Sequence, residues 1–130
     1  MTSVTVGELV LVRFPPMHAS GLQEDAQDSF DALVKKGEIG EYSVSTWGRE
    51  ARGGETLEQL VSDVCAKADL RGRKVGLVTG TALSGVGLVA RASGDPGHHD
   101  VVLGAELKLD LVEWLANTFL GNRMKNPWDK

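Results

Sequence analysis

The sequence predicts a mixed α+β domain, a two-layer sandwich with a ferredoxin-like β-α-β-α-β-β-β-α arrangement. Three observations predict it. Apolar spacing switches along the chain between the period of 2 of strands and the 3.6 of helices. Each helical stretch opens on a capping residue. Two helical stretches lie between strands, as crossovers do, and the later strands follow one another across short turns, as antiparallel neighbours do. A small three-layer α/β fold is the alternative.

Residues 4–14 are β-branched and nearly continuously apolar (Val4, Val6, Leu9, Val10, Leu11, Val12, Phe14), the pattern of a strand buried on both faces. An irregularity is expected at Gly7-Glu8. Pro15-Pro16 ends the strand because proline has no ladder donor. Residues 20–36 read as a helix. Ser20 and Gln23 form a capping-box pattern, and Leu22, Ala26, Phe30, Leu33 and Val34 share one face. Lys35 and Lys36 suit the negative end of its dipole, and Gly37 suits the residue that follows. Residues 41–47 alternate as a strand. Thr56 and Gln59 make a second capping box, for a helix over 57–69. Its stripe of Leu57, Leu60, Val61, Val64, Cys65 and Ala68 makes Cys65 a core residue. Residues 73–79 and 86–92 read as strands joined by a turn at 81–85, and Gly94-Asp95-Pro96-Gly97 as a loop. From 101 to 109 strict alternation predicts a strand with one wet face, with Val101, Leu103, Ala105, Leu107 and Leu109 on the other. Asp110 caps the last helix, with Glu113 as box partner, and Gly121 stops it. The domain is expected to span 1–121, with 122–130 as a flexible polar tail.

A chain of 130 residues fits one domain. At that size about two-thirds of the unfolded surface is buried, so no disulfide or metal staple is needed. Hydrophobic residues at 42% and charged residues at 25% are a globular mix, which argues against disorder and coiled coil. The formal net charge of −4 argues against a dedicated nucleic-acid binder, whose affinity comes mostly from neutralising phosphates. No apolar run approaches the ~18 residues of a membrane span, and residues 4–14 carry Glu8 and Arg13, unlike a signal peptide. Cys65 is the only cysteine, so internal disulfides and thiolate metal clusters are not expected and a reducing, cytoplasmic setting is. No cofactor is expected.

The glycine-rich run from Lys74 to Gly87 follows a hydrophobic strand. Its Thr79-Gly80 and Gly85-Val86-Gly87 resemble the strand-and-loop fingerprint of short-chain dehydrogenases. The spacing departs from that fingerprint: four residues rather than three separate Gly80 from Gly85. The run sits in the middle of the chain, too few residues follow it, and Tyr42, the only tyrosine, lies upstream. A β-hairpin with glycines at its turn is therefore expected. No Gly-Lys-Ser/Thr phosphate loop occurs.

Four other features bear on function. Arg49, Arg52, Gly53 and Gly54 lead into the capped start of the helix at 57, where N–H groups and guanidinium donors suit an anionic ligand, although Glu50 and Glu55 cancel the local charge. His98 and His99, expected in an exposed loop before the strand at 101, are the candidate acid/base groups, His99 foremost, but adjacent side chains turn apart, so chelation of one ion is not expected. Glu24, Asp25, Asp28 and Asp31 give the first helix an acidic face suited to a basic partner. Met124 and Trp128, beside three cations in the tail, are of the residue types enriched as interface anchors. Arg49, Arg52, Arg71, Arg73 and Lys74 carry a nucleic-acid reading only if they cluster.

The function expected is a non-catalytic protein-interaction or assembly module. Strand 4–14 is apolar on both sides and three helices in two layers cover one, so the open face is expected to self-associate as a homodimer. The alternative is a small cytosolic enzyme or anionic-ligand-binding protein with its site near the 48–56 loop and His98-His99.

Overall fold

The computed structural model of the chain describes residues 4–72 and 74–128. Its elements follow in order as β1 (Leu9–Arg13), α1 (Ala19–Lys35), β2 (Tyr42–Glu50), α2 (Leu57–Lys67), β3 (Lys74–Thr79), α3 (Gly80–Gly85), β4 (Val89–Ala92), β5 (His98–Gly104), α4 (Leu109–Gly121) and β6 (Arg123–Lys125). The six strands form one sheet in the order β4-β5-β2-β1-β3-β6. Every neighbouring pair is antiparallel. The mixed α+β class expected from the sequence is therefore present. The strand order is not the one expected. A ferredoxin-like order pairs two strands in parallel beside a crossover. Here β1 lies between β2 and β3, so the connections through α1 and α2 leave only antiparallel neighbours.

Alternation along β1 sends its apolar residues to two cores. Leu11 joins Leu22 and Ala26 of α1, Leu83 of α3, and Val112, Leu115 and Phe119 of α4. Val10 and Val12 join Leu60, Val61, Val64 and Cys65 of α2. Burying one such aliphatic side chain stabilises by about 1.5–3 kcal/mol, so a strand apolar on both sides demands cover on both. The two-layer expectation is thereby corrected: helices lie on both faces of the sheet, the layering of the three-layer alternative without its parallel strands. The face expected to lie open is covered by α2 of the same chain.

Local differences have local causes. Thr56 and Gln59 close the capping box on α2 as the sequence predicts. α1 starts at Ala19, one residue ahead of Ser20, with an extended His18 at its N-cap and no side-chain cap. β5 ends at Gly104, whose φ of +104° breaks the extended run predicted to reach residue 109. α4 then opens behind Lys108 rather than Asp110. Residues 80–85 form the short helix α3 instead of a hairpin turn, since the Thr79 hydroxyl accepts from the Ala82 N–H and caps it. Of the segment 122–130 expected to hang loose, residues 122–128 are docked and the last two lie outside the described residues: β6 pairs with β3, Asn126 is buried and donates to Leu70 O at 2.9 Å, and Met124 and Trp128 pack on the α2-side core.

Candidate functional site

The strongest site candidate arises where β1 stops. Pro15 and Pro16 cannot continue the ladder, whereas β2 runs on past the last β1 pair, Val12 opposite Trp47. The freed edge of β2 is taken by side chains. Asp25 of α1 accepts from the Ser45 N–H at 3.1 Å, and Arg13 Nη1 donates to Ser45 O at 2.8 Å and to Asp25 at 2.6 Å. Arg13 Nε donates to Pro16 O at 3.1 Å. Arg13 is 7% exposed, and this set of acceptors is what makes its burial tolerable.

Beside this junction lies a cleft of about 450 Å³. Its apolar wall is Phe14, Trp47 and Leu70. Its other wall is the acidic flank of α1, Glu24, Asp25 and Asp28, with Ser45 and Arg13 between. Asp25 is committed to Arg13 and Ser45. Glu24 and Asp28 are exposed and make no ion pair or hydrogen bond among the described residues. They stand one helical turn apart, where like charges repel.

His98 completes the neighbourhood. β5 pairs with β2 so that His98 lies opposite Trp47 and Asp100 opposite Ser45. Ser45 Oγ lies 2.7 Å from His98 Nε2, and Ser93 Oγ lies 2.6 Å from Nδ1. The imidazole meets the Trp47 ring edge-on at 4.7 Å between centroids. His99 hydrogen-bonds through Nδ1 to Gly97 O at 3.2 Å, and strand alternation directs it away from His98.

The 48–56 loop already holds a carboxylate, and it is the chain's own. Glu55 accepts from both terminal guanidinium nitrogens of Arg49, at 2.7 and 2.8 Å, and from the Arg52 N–H at 2.7 Å. Asp63 accepts from Arg49 Nε at 2.8 Å. The Arg49 guanidinium, then the Arg52 N–H, hold the Glu55 carboxyl down at about 2, and Arg49 lowers Asp63 as well. Gly53 and Gly54 are exposed beside this closed cluster. A second cleft, about 340 Å³, opens on the far side of Trp47 between Arg49, Lys67 and Pro96.

The other basic residues are dispersed in role. Arg71 pairs with Asp69 and lies over the Trp128 ring, and Lys74 is exposed. Arg73 lies outside the described residues. Cys65 is buried in the α2-side core, and burial pushes its thiol up to about 11. Among the described residues no group of three or more His, Cys, Asp or Glu is placed to hold a metal ion, and no helix is long and apolar enough to cross a membrane.

Sequence reasoning reached His98 and the acidic face of α1 but not Ser45, Ser93 or Arg13. Ser45 and His98 are 53 residues apart and meet only through the register of β2 with β5. No protein-family model, curated protein or solved structure matches the chain.

Proposed function

We propose that the chain is a protein-interaction module that holds a cationic group of its partner, a lysine or arginine side chain, in the cleft between α1 and the end of β1. The observation that carries this reading is the pair Glu24 and Asp28, carboxylates one turn apart with no ion-pair partner among the described residues, lining a cleft with Phe14 and Trp47. An incoming cation relieves their repulsion and gains an aromatic surface. With Asp25 already matched by Arg13, the two remaining charges set the preference for a cation over an anion. Self-association through the sheet face has lost its motive, since α2 covers Val10 and Val12. A cytoplasmic setting belongs to the same reading and rests on the lone buried thiol of Cys65.

The test is a titration with a short lysine-rich peptide, followed by amide NMR shifts, with a glutamate-rich peptide as control. The expected result is salt-sensitive shifts at residues 13–14, 24–28 and 45–47 with the basic peptide alone, lost in the Glu24→Lys/Asp28→Lys variant. Equal shifts in that variant would overturn the reading. A solution dimer of the wild type that the same variant dissolves would make a second copy the occupant.

A further inference from the structure

We infer that Ser45 is a nucleophile activated by His98, and that it attacks carboxylic esters carrying a cationic group beside the scissile bond; the cationic part rests on the cleft reading above. The geometry has the three parts such a device requires: a hydroxyl, a base within hydrogen-bond reach, and a third group that orients the base. Ser45 Oγ to His98 Nε2 is 2.7 Å and Ser93 Oγ to Nδ1 is 2.6 Å. The Ser93 hydroxyl also lies 3.5 Å from His98 O. In the tautomer protonated at Nδ1, Ser93 Oγ accepts that proton and Nε2 is the base that accepts from Ser45.

Ser45 itself is held from both backbone sides, by Asp25 on its N–H and Arg13 on its carbonyl, and it lines the cleft. A hydroxyl so fixed loses little freedom on reaction. Arg13 Nη2 makes no hydrogen bond among the described residues, and Arg13 lines the same cleft, so it is the donor available to an oxyanion there.

The step balances within these groups. Ser45 Oγ bonds to the ester carbonyl carbon while its proton passes to His98 Nε2. The carbon–oxygen bond to the leaving alcohol breaks, and His98 returns the proton to that oxygen. Water then attacks the acyl-serine, again losing its proton to His98, and the acid leaves with Ser45 restored. Ser93 is a positioning residue, since it acts through His98.

The experiment treats the full chain with a neutral alkyl fluorophosphonate and maps the product by mass spectrometry. The expected result is one phosphonyl group on Ser45, with fluoride released. Ser45→Ala removes the label, and His98→Gln slows labelling by about 10²–10⁴-fold, the usual worth of a general base. Ser93→Ala shifts the pH profile of labelling while the urea midpoint stays put. No adduct on the wild type, an adduct elsewhere, or unchanged labelling in His98→Gln with the fold intact overturns the inference. Hydrolysis of acetylcholine is then compared with that of its neutral isostere, 3,3-dimethylbutyl acetate. A faster rate for the cationic ester supports the substrate class. Equal rates with Ser45 labelled overturn that class and the cation reading, and leave the nucleophile standing.

Discussion

Asp25→Ala tests whether side chains replace a strand at the edge of β2. The substitution removes the acceptor of the Ser45 N–H and the counter-charge of Arg13 together. Removing one partner of a fully buried ion pair costs about 3–5 kcal/mol, most of it from the stranded charge. Arg13 is nearly buried, with its side chain 9% exposed, but the Asp25 side chain is 26% exposed, so water reaches the vacated position and offsets part of the loss. The expected cost is therefore about 2–3 kcal/mol, which for a domain of this size lowers Tm by roughly 6–15 °C. Asp25→Asn keeps an acceptor for Ser45 and is expected to cost about half as much. Urea denaturation gives each value from the shift in midpoint at unchanged slope. A double-mutant cycle with Arg13→Ala isolates the pair, with an expected coupling of about 1–3 kcal/mol. A cost below about 0.5 kcal/mol for Asp25→Ala, or a coupling near zero, would refute the reasoning and leave Ser45 without its scaffold.

Two glycines on the sheet and in α3 separate crowding from backbone entropy. A methyl at Gly48 would overlap the Val10 carbonyl oxygen of the neighbouring central strand, so Gly48→Ala is expected to cost about 3 kcal/mol or more by urea denaturation. A methyl at Gly85 meets nothing within 4 Å and ends a helix, so Gly85→Ala is expected to be neutral or to stabilise by about 0.5 kcal/mol. Glu55 titrates at about 2 in the fold against an ordinary 4.5, so its contribution is present above pH 4.5 and lost as pH falls through 2. The gap in urea midpoint between wild type and Glu55→Gln should therefore be full at pH 7 and shrink below pH 4.5; a gap that stays constant to pH 2 contradicts the pairing. Cys65 is fully buried, with its thiol pushed up to about 11, so an aromatic disulfide reagent at pH 8 should modify it at the rate of opening rather than on mixing. Immediate colour from the native protein would place Cys65 outside the core.

What the sequence made legible was whatever a few consecutive residues decide. The box of Thr56 and Gln59 is local, and α2 starts where it says. The acidic flank of α1 follows from helical spacing alone. Arg49 and Glu55 stand six residues apart, so their mutual cancellation was readable, though not the bidentate geometry or the arrival of Asp63 from α2. Two readings failed where a neighbour overrode the pattern. Gly104 cut an alternation that looked continuous to residue 109, and Thr79 capped a helix inside a glycine-rich run that resembled a turn. The count of faces failed for a different reason. Periodicity says that a strand needs cover on both sides, but which helix supplies it depends on the handedness and span of the connections, and α2 crosses to the side opposite α1.

The candidate site was out of reach of pattern reading because it is made by an absence of pairing. Had β1 continued past Pro15, strand hydrogen bonds would take the N–H and carbonyl of Ser45 and fill the space of the cleft. Proline forbids that, and the vacated edge is closed by Arg13 and Asp25, which are bulkier and asymmetric and leave a hollow beside them. On the other side of β2 the ladder with β5 runs in constant register from Ser43 to Trp47, and that register delivers His98 to Ser45. One flank of the strand therefore fixes the base and the other opens access to the hydroxyl. A proline pair at the end of one strand and the register of another act on a single residue between them, and this is why Ser45, without any sequence motif around it, is where the structure concentrates its unspent chemistry.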